Sequence, residues 1–255
     1  MIKLDNQNYI IAEKAPWDGN PMLKTAVNIK EFKATSEYSA EILINMFDLE
    51  YKDIEYSSTR IDSRDIHLTR ALGKAGYHMT EIAMKVTGVL SKLNIDDTQF
   101  SKFVFEQASR NDYKTISDYA VKYFNHGKFH EDPLIERKFA NQRNINMIND
   151  ITKKYTTYIG KVNNKIIGFM ILNQENTQVD LLLGGMHIDY RHLSYSFWNK
   201  VFSEYKNKNI KKFTTTISAA NIPVINLYSR FGFKFNQSLY GYRKFRKHAN
   251  IIKPE

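Results

Sequence analysis

The clearest order in this chain lies in its apolar runs. Lys165 to Leu172 reads Lys-Ile-Ile-Gly-Phe-Met-Ile-Leu after the turn signal Asn163-Asn164, and Val179 to Met186 reads Val-Asp-Leu-Leu-Leu-Gly-Gly-Met. Short apolar runs bounded by turn residues predict strands, here two adjacent antiparallel ones. A polar stretch from His187 to Ser196 follows, after which Phe197, Trp198, Val201, Phe202 and Tyr205 recur at helical spacing. Upstream, Ile116, Tyr119, Ala120 and Tyr123 predict a helix over 111–123, preceded by a strand over 102–107. The sharpest punctuation runs from Asn221 to Phe233: Asn221 suits a helix cap, Pro223 is tolerated in a first turn, and Gly232 supplies the positive φ that ends the helix before a strand. Asn221 and Tyr228 lie two helical turns apart, so their polar groups share one face.

The same punctuation occurs earlier. Ile61 to Tyr77 aligns without a gap on Ile217 to Phe233 at a constant offset of 156, so that Asp65 meets Asn221, Leu72 meets Tyr228 and Gly76 meets Gly232. With strands expected over 53–61 and 77–86, both halves carry a strand, helix, Gly-aromatic, strand unit. The N-terminal half therefore reads as a partial, degenerate repeat lacking the tyrosine. The polar stretch Asn94 to Ser101 marks a boundary, giving an N-terminal domain over 1–100 and a second over 101–255.

The block from Asn221 through Leu227-Tyr228 to Gly232-Phe233 resembles the last conserved block of the GNAT superfamily of acyl-CoA-dependent N-acyltransferases. That resemblance implies an α/β fold, a mixed and mainly antiparallel sheet with helices on both faces, here preceded by a partial GNAT-like repeat. It also implies acetyl-CoA as acyl donor, with Asn221 on the pantetheine arm and Tyr228 as general acid beside the sulfur. The family's pyrophosphate loop, Arg/Gln-x-x-Gly-x-Gly/Ala, falls on Arg191 to Ser196, with Ser194 and Ser196 in place of both glycines. Serine crowds a close backbone approach, yet its hydroxyl donates to phosphate oxygens. The pair Gly184-Gly185 marks either a strand bulge or a close packing approach, and by the resemblance a backbone N–H near Gly185 or Met186 would polarise the thioester carbonyl. By the same resemblance Met186 and Ile188 line the donor, and Asp180 occupies the position of the base. The run Phe129-His130-Glu131-Asp132-Pro133 resembles the subgroup that acetylates nucleotide-linked amino-deoxysugars, such as dTDP-fucosamine acetyltransferases. Phe129 suits stacking on a sugar, and His130 and Asp132 suit its hydroxyls or amine. A catalytically silent acyl-CoA-binding module and an acyltransferase acting on a peptide or protein amine stay open beside this reading.

Composition narrows the chemistry. With 255 residues, 42% of them hydrophobic, the chain can bury a sizeable core. It contains no cysteine, so disulfides, cysteine-ligated metals and acyl transfer through a thiol nucleophile are excluded, and direct attack by the acceptor amine in a ternary complex remains. His126 and His130 stand at helical spacing but are interrupted by Gly127, and no metal is expected. The net charge of +10 is spread along the chain, with clusters at Lys206, Lys208, Lys211 and Lys212 and at Arg243, Lys244, Arg246 and Lys247. The first favours an anionic cofactor, and without a nucleic-acid motif no nucleic-acid partner is expected. Neither a membrane span nor a signal peptide is read, so a cytoplasmic location is expected. A homodimer stays open.

Overall fold

The computed structural model describes residues 1–96 and 102–246; part of the expected boundary, residues 97–101, and Lys247 of the second basic cluster lie outside them. Along the chain come β1 (Ile2–Lys3), β2 (Tyr9–Lys14), α1 (Pro16–Gly19), β3 (Ala26–Lys33), α2 (Glu37–Glu50), β4 (Tyr56–Asp62), α3 (Ile66–Lys74) and β5 (His78–Val89). There follow β6 (Val104–Gln107), α4 (Tyr113–Tyr123), α5 (Arg137–Ile151), β7 (Thr156–Val162), β8 (Lys165–Glu175), β9 (Gln178–Met186), α6 (Ser194–Ser203), β10 (Lys212–Ser218), α7 (Ile222–Arg230) and β11 (Lys234–Phe245).

These elements form two compact units, and neither is a continuous stretch. The first comprises 1–83, 127–143 and 237–255; the second comprises 84–126 and 144–236. This differs from the expected division at residue 100, and the reason is strand pairing. In the first unit the strands run β1-β2-β3-β4-β11, and β11 pairs antiparallel with β4 from Leu239↔Asp62 to Phe245↔Tyr56. In the second unit they run β5-β10-β9-β8-β7-β6. Each repeat therefore ends in a strand that lies beside the penultimate strand of the other.

The internal repeat extends well beyond the stretch legible in the sequence. The seven residues of β4 and β10, the nine of α3 and α7, and the twelve of β5 and β11 all correspond at the offset of 156. Gly76 and Gly232 both adopt positive φ, at 79° and 82°. Each ends its helix with the same bonds, Tyr77 N–H to Leu72 O and Phe233 N–H to Tyr228 O. Upstream, β3 and β9 each carry one bulged residue: Lys30 is extra opposite Ile11 and Ala12, and Leu182 is extra opposite Ile171 and Leu172.

In each unit both faces of the sheet are covered. In the second unit Ile166, Phe169 and Ile171 of β8 join Ile116 and Ala120 of α4 and Ile148 and Ile151 of α5, while Ile167, Met170 and Leu172 join Phe197, Trp198 and Phe202 of α6 and Tyr228 of α7. A strand buried on both sides needs no polar alternation, which is why β8 reads as an unbroken apolar run. In the first unit α2 and α3 cover one face through Leu43, Phe47, Leu68 and Leu72. The opposite face is covered by the 127–143 segment through Phe129, Ile135 and Ala140.

On that second face, Arg243 donates to the Asp132 carboxylate through Nε at 2.7 Å and an Nη at 3.2 Å, with side-chain exposures of 7% and 0%. Asp132 also accepts the Leu134 N–H, so its charge is fully engaged. Lys244 and Arg246 pair with Asp48, so the described part of the C-terminal basic cluster is held in intramolecular ion pairs. Replacing Arg243 by Met leaves a buried carboxylate uncompensated and should lower stability by about 3–5 kcal/mol in urea unfolding. Replacing Asp132 by Leu in the same variant should restore most of it, and an unchanged midpoint in Arg243→Met would show that the pair holds nothing.

Candidate active site

The site begins where two parallel strands part. β9 and β10 pair at only three positions, Gln178↔Lys212, Val179↔Phe213 and Asp180↔Thr214, although β9 continues to Met186 and β10 to Ser218. At the point of separation Thr215 Oγ1 donates to the Leu181 carbonyl at 2.9 Å. One residue further the Leu182 bulge bends β9. Beyond it the pairing to β8 fixes which way the N–H groups face. His187 donates its N–H to Ile167 O at 2.7 Å, and by antiparallel alternation Gly184 and Met186 turn theirs away from β8, into the fork.

Of the two uses open to the glycine pair, the structure shows the close approach. The bulge falls on Leu182, and Gly184-Gly185 serve close packing: a Cβ at Gly184 would come within 2.6 Å of Met170, and one at Gly185 within 2.6 Å of the Phe124 ring. Strand glycines signal either a bulge or a close approach, and without the opposing chains the sequence does not separate the two.

Tyr228 approaches the fork from α7. It is 4% exposed, packs its ring against Phe233 at 4.8 Å, and its hydroxyl accepts from Trp198 Nε1 at 3.3 Å. Burial pushes this phenol up to about 12, against the hydrogen bond from Trp198 that favours the phenolate. The Thr214 hydroxyl donates to the carboxylate of Asp180, which also accepts from Gln178 Nε2 at 2.6 Å. Asp180 is half-buried. Val179 and Leu181 share a cluster with Tyr228, so Asp180 between them turns, with Thr214, to the opposite face of the sheet. Neither threonine stood out in the sequence, because nothing in a strand pattern marks where its neighbour departs.

The open end of the fork leads to a 3-10 turn over Ile188–Leu193 and then to the start of α6. Arg191 and Ile188 are exposed; Ser196 and Ser194 are partly buried, and the Ser194 hydroxyl donates to the Arg191 carbonyl. No side chain caps α6 and no acidic residue lies in its own first turn; the Ser194 N–H bonds the Arg191 carbonyl, and the partial positive charge of the helix start is left for an anion. The corresponding helix of the first unit is closed. Ser36 caps α2 in a reciprocal capping box with Ser39, and Glu37 occupies the first turn, paired with Lys74 and Arg70. The first unit keeps the strand devices, including the Thr59 hydroxyl on the Ile29 carbonyl, but not an open anion site.

The remaining expected residues fall in two places. Asn221 stands at the N-cap position of α7, yet its side chain makes no capping bond and is half-buried. Phe129 is 2% exposed and meets Tyr56 edge-on at 5.7 Å, and Asp132 is held by Arg243, so both belong to the interior of the first unit and present no surface to a sugar. The aromatic and acidic types that suggested sugar contacts also build buried cores. His130 is partly buried, with Nε2 3.2 Å from Asn141 Oδ1. Among the described residues no group of three or more His, Asp or Glu is placed to hold a metal ion, and no helix is long and apolar enough to cross a membrane.

No protein-family model matches the chain. It is 20% identical over 253 residues to the spore coat polysaccharide biosynthesis protein SpsD of Bacillus subtilis (strain 168), a match covering 92% of this chain and 83% of that one. A conserved protein of unknown function from Staphylococcus epidermidis superposes with a TM-score of 0.64 at 11% identity, covering 96% of this chain and 94% of that one. A GCN5-related N-acetyltransferase from Sphaerobacter thermophilus superposes with a TM-score of 0.61 at 10% identity, covering 92% and 76%. A tandem GNAT protein from the clavulanic acid biosynthesis pathway gives 0.54 at 8% identity, covering 86% and 75%. With its bulged strand, its fork between parallel strands and its doubled strand-helix-strand unit, the chain has the fold of the GCN5-related N-acetyltransferases, in tandem form.

Proposed function

We propose that the second unit transfers an acetyl group from acetyl-CoA to the amino group of a small acceptor, a nucleotide-linked amino-deoxysugar. The observation that carries this reading is the fork between β9 and β10, with a buried tyrosine hydroxyl at its closed end and an uncapped helix N-terminus at its open end. The α6 N-terminus with Arg191, Ser194 and Ser196 receives the pyrophosphate, and Ile188 and Asn221 flank the donor. The N–H groups of Gly184 and Met186 face the extended arm and the thioester carbonyl, where they stabilise the oxyanion as the amine attacks. Asp180 takes the ammonium proton directly or through water. The amino-sugar acceptor is supported by the similarity to a protein named for spore coat polysaccharide biosynthesis.

The environment of Tyr228 refines its role. A thiol ionises near ~8.5, so full proton transfer from a phenol held near 12 runs uphill by about 5 kcal/mol. Tyr228 acts best as a hydrogen-bond donor that steadies the departing thiolate, whose proton comes finally from solvent or the acceptor amine. Its raised pKa also fixes the pH window. The phenol is protonated below about 12, and the stability its burial contributes is complete below the ordinary tyrosine value near ~10 and declines as pH rises through it.

Calorimetric titration should find one acetyl-CoA site per chain, because α2 is closed and α6 is open. Arg191→Ala should weaken that site at least tenfold, and two equal sites, or affinity indifferent to the substitution, would remove the donor assignment. Tyr228→Phe should lower kcat by about a hundredfold while leaving acetyl-CoA affinity within a factor of two, as expected for loss of a transition-state hydrogen bond. Wild type and Tyr228→Phe should show pH–rate profiles of the same shape between pH 6 and 10. An alkaline limb present only in the wild type would mean that Tyr228 titrates there.

A further inference from the structure

The first unit contains a charge imbalance that its own structure does not resolve. Lys128 Nζ and Arg143 Nε both bind the Asp18 carboxylate, Arg143 at 2.7 Å, while Asp18 keeps only 5% of its side chain exposed. Two cations thus share one buried anion, leaving a net positive charge. Arg243 and Asp132 are balanced one to one, and Asp48, which also carries two cations, Lys244 and Arg246, keeps 22% of its side chain in solvent where Asp18 keeps 5%. Uncompensated charge in a poorly solvated place is costly, and native structures retain it where a ligand supplies the opposite sign.

The donors of this pair are organised for such a ligand. Lys128 bonds Asp18 and the Ser58 hydroxyl, at 3.3 Å for the latter, and its third N–H is free of both. Arg143 lies over the Phe129 ring at 5.2 Å and uses Nε on Asp18, so its terminal N–H groups stay in a fixed plane. Each side chain keeps 18% of its surface open, enough to be reached without being freely hydrated. Burial and the neighbouring Arg143 and Arg60 charges depress the Lys128 ammonium, outweighing Asp18, as expected for a cluster with too much positive charge. A planar fork beside a point charge is the donor set that suits a phosphate group.

We propose that Lys128 and Arg143, positioned by Asp18, form a phosphate-binding subsite in the first unit that takes the diphosphate of a nucleoside diphosphate ligand. This rests on the acceptor reading above for the choice of nucleotide only. The subsite would give the repeat that lacks an open helix N-terminus a binding role of its own, with Phe129 serving as the platform beneath Arg143 instead of touching a sugar.

The test is calorimetric titration of the full chain with thymidine diphosphate and with inorganic pyrophosphate, without acetyl-CoA. Wild type should bind thymidine diphosphate, and Arg143→Gln should weaken it at least tenfold without lowering Tm, since Lys128 then neutralises Asp18 one to one. Arg191→Ala should leave it unchanged. Arg143→Lys, which keeps the charge and loses the fork, should weaken binding severalfold and covers the case in which Arg143→Gln unfolds. No binding of either probe, equal binding by both Arg143 variants, or loss of binding in Arg191→Ala would each overturn the proposal. Because acetyl-CoA affinity is measured separately, a failure here leaves the acyltransferase reading standing, and a failure there leaves this subsite standing.

Discussion

The arrangement of this protein depends on the premature end of a parallel pairing. After three ladder positions β9 and β10 separate, and backbone groups that would bond each other in an ordinary sheet face an opening instead. Such separation is costly unless something replaces the missing bonds. Two local devices make it permanent: a threonine hydroxyl occupies the first vacated carbonyl, and a bulged residue turns the strand aside. The same two devices recur in the first unit at Thr59 and Lys30, where β3 and β4 stop pairing after Ile29↔Thr59. The opening is thus written twice into the backbone, whatever each copy has done with it.

The copies differ at the helix that follows. A capping serine with a glutamate in the first turn saturates α2, whereas α6 itself has neither and is entered through a 3-10 turn that carries His187 and Asp189 at its own start. The tyrosine of α7 is matched by Leu72, which is fully buried among α2 and α3. The copies differ in a few side chains and in the helix after the bulged strand, while the strand, helix, glycine and strand that follow keep the same lengths. Small electrostatic changes at a helix terminus are enough to decide whether an anion is welcome.

Much of the second unit could be read from residues alone. The apolar runs of β8 and β9, the aromatic face of α6, and the Asn221 to Phe233 unit all carry periodicity or punctuation that physics makes local. What escaped reading was set by partners distant in sequence. The β4 to β11 pairing joins Asp62 to Leu239, and no local pattern announces it. Thr214 and Thr215 matter because of where β9 turns away, and Lys128 and Arg143 because Asp18 lies between them. Phe129 and Asp132 show the opposite error, in which residue types suited to a ligand were recruited to a core.

The exchange of terminal strands also sets the order in which the molecule can be completed. β4 is made early, but the strand that covers its free edge spans residues 237–245, among the last described in the chain. At typical synthesis rates, the edge from Tyr56 to Asp62 waits roughly 10 to 40 s for its neighbour. During that interval it bears the polar residues Ser57, Ser58 and Thr59 and the charged Arg60, which hold a growing chain apart from its fellows better than a run of valines would. A chain released before its final strand leaves the first unit unsealed even though every helix of both repeats has already been made.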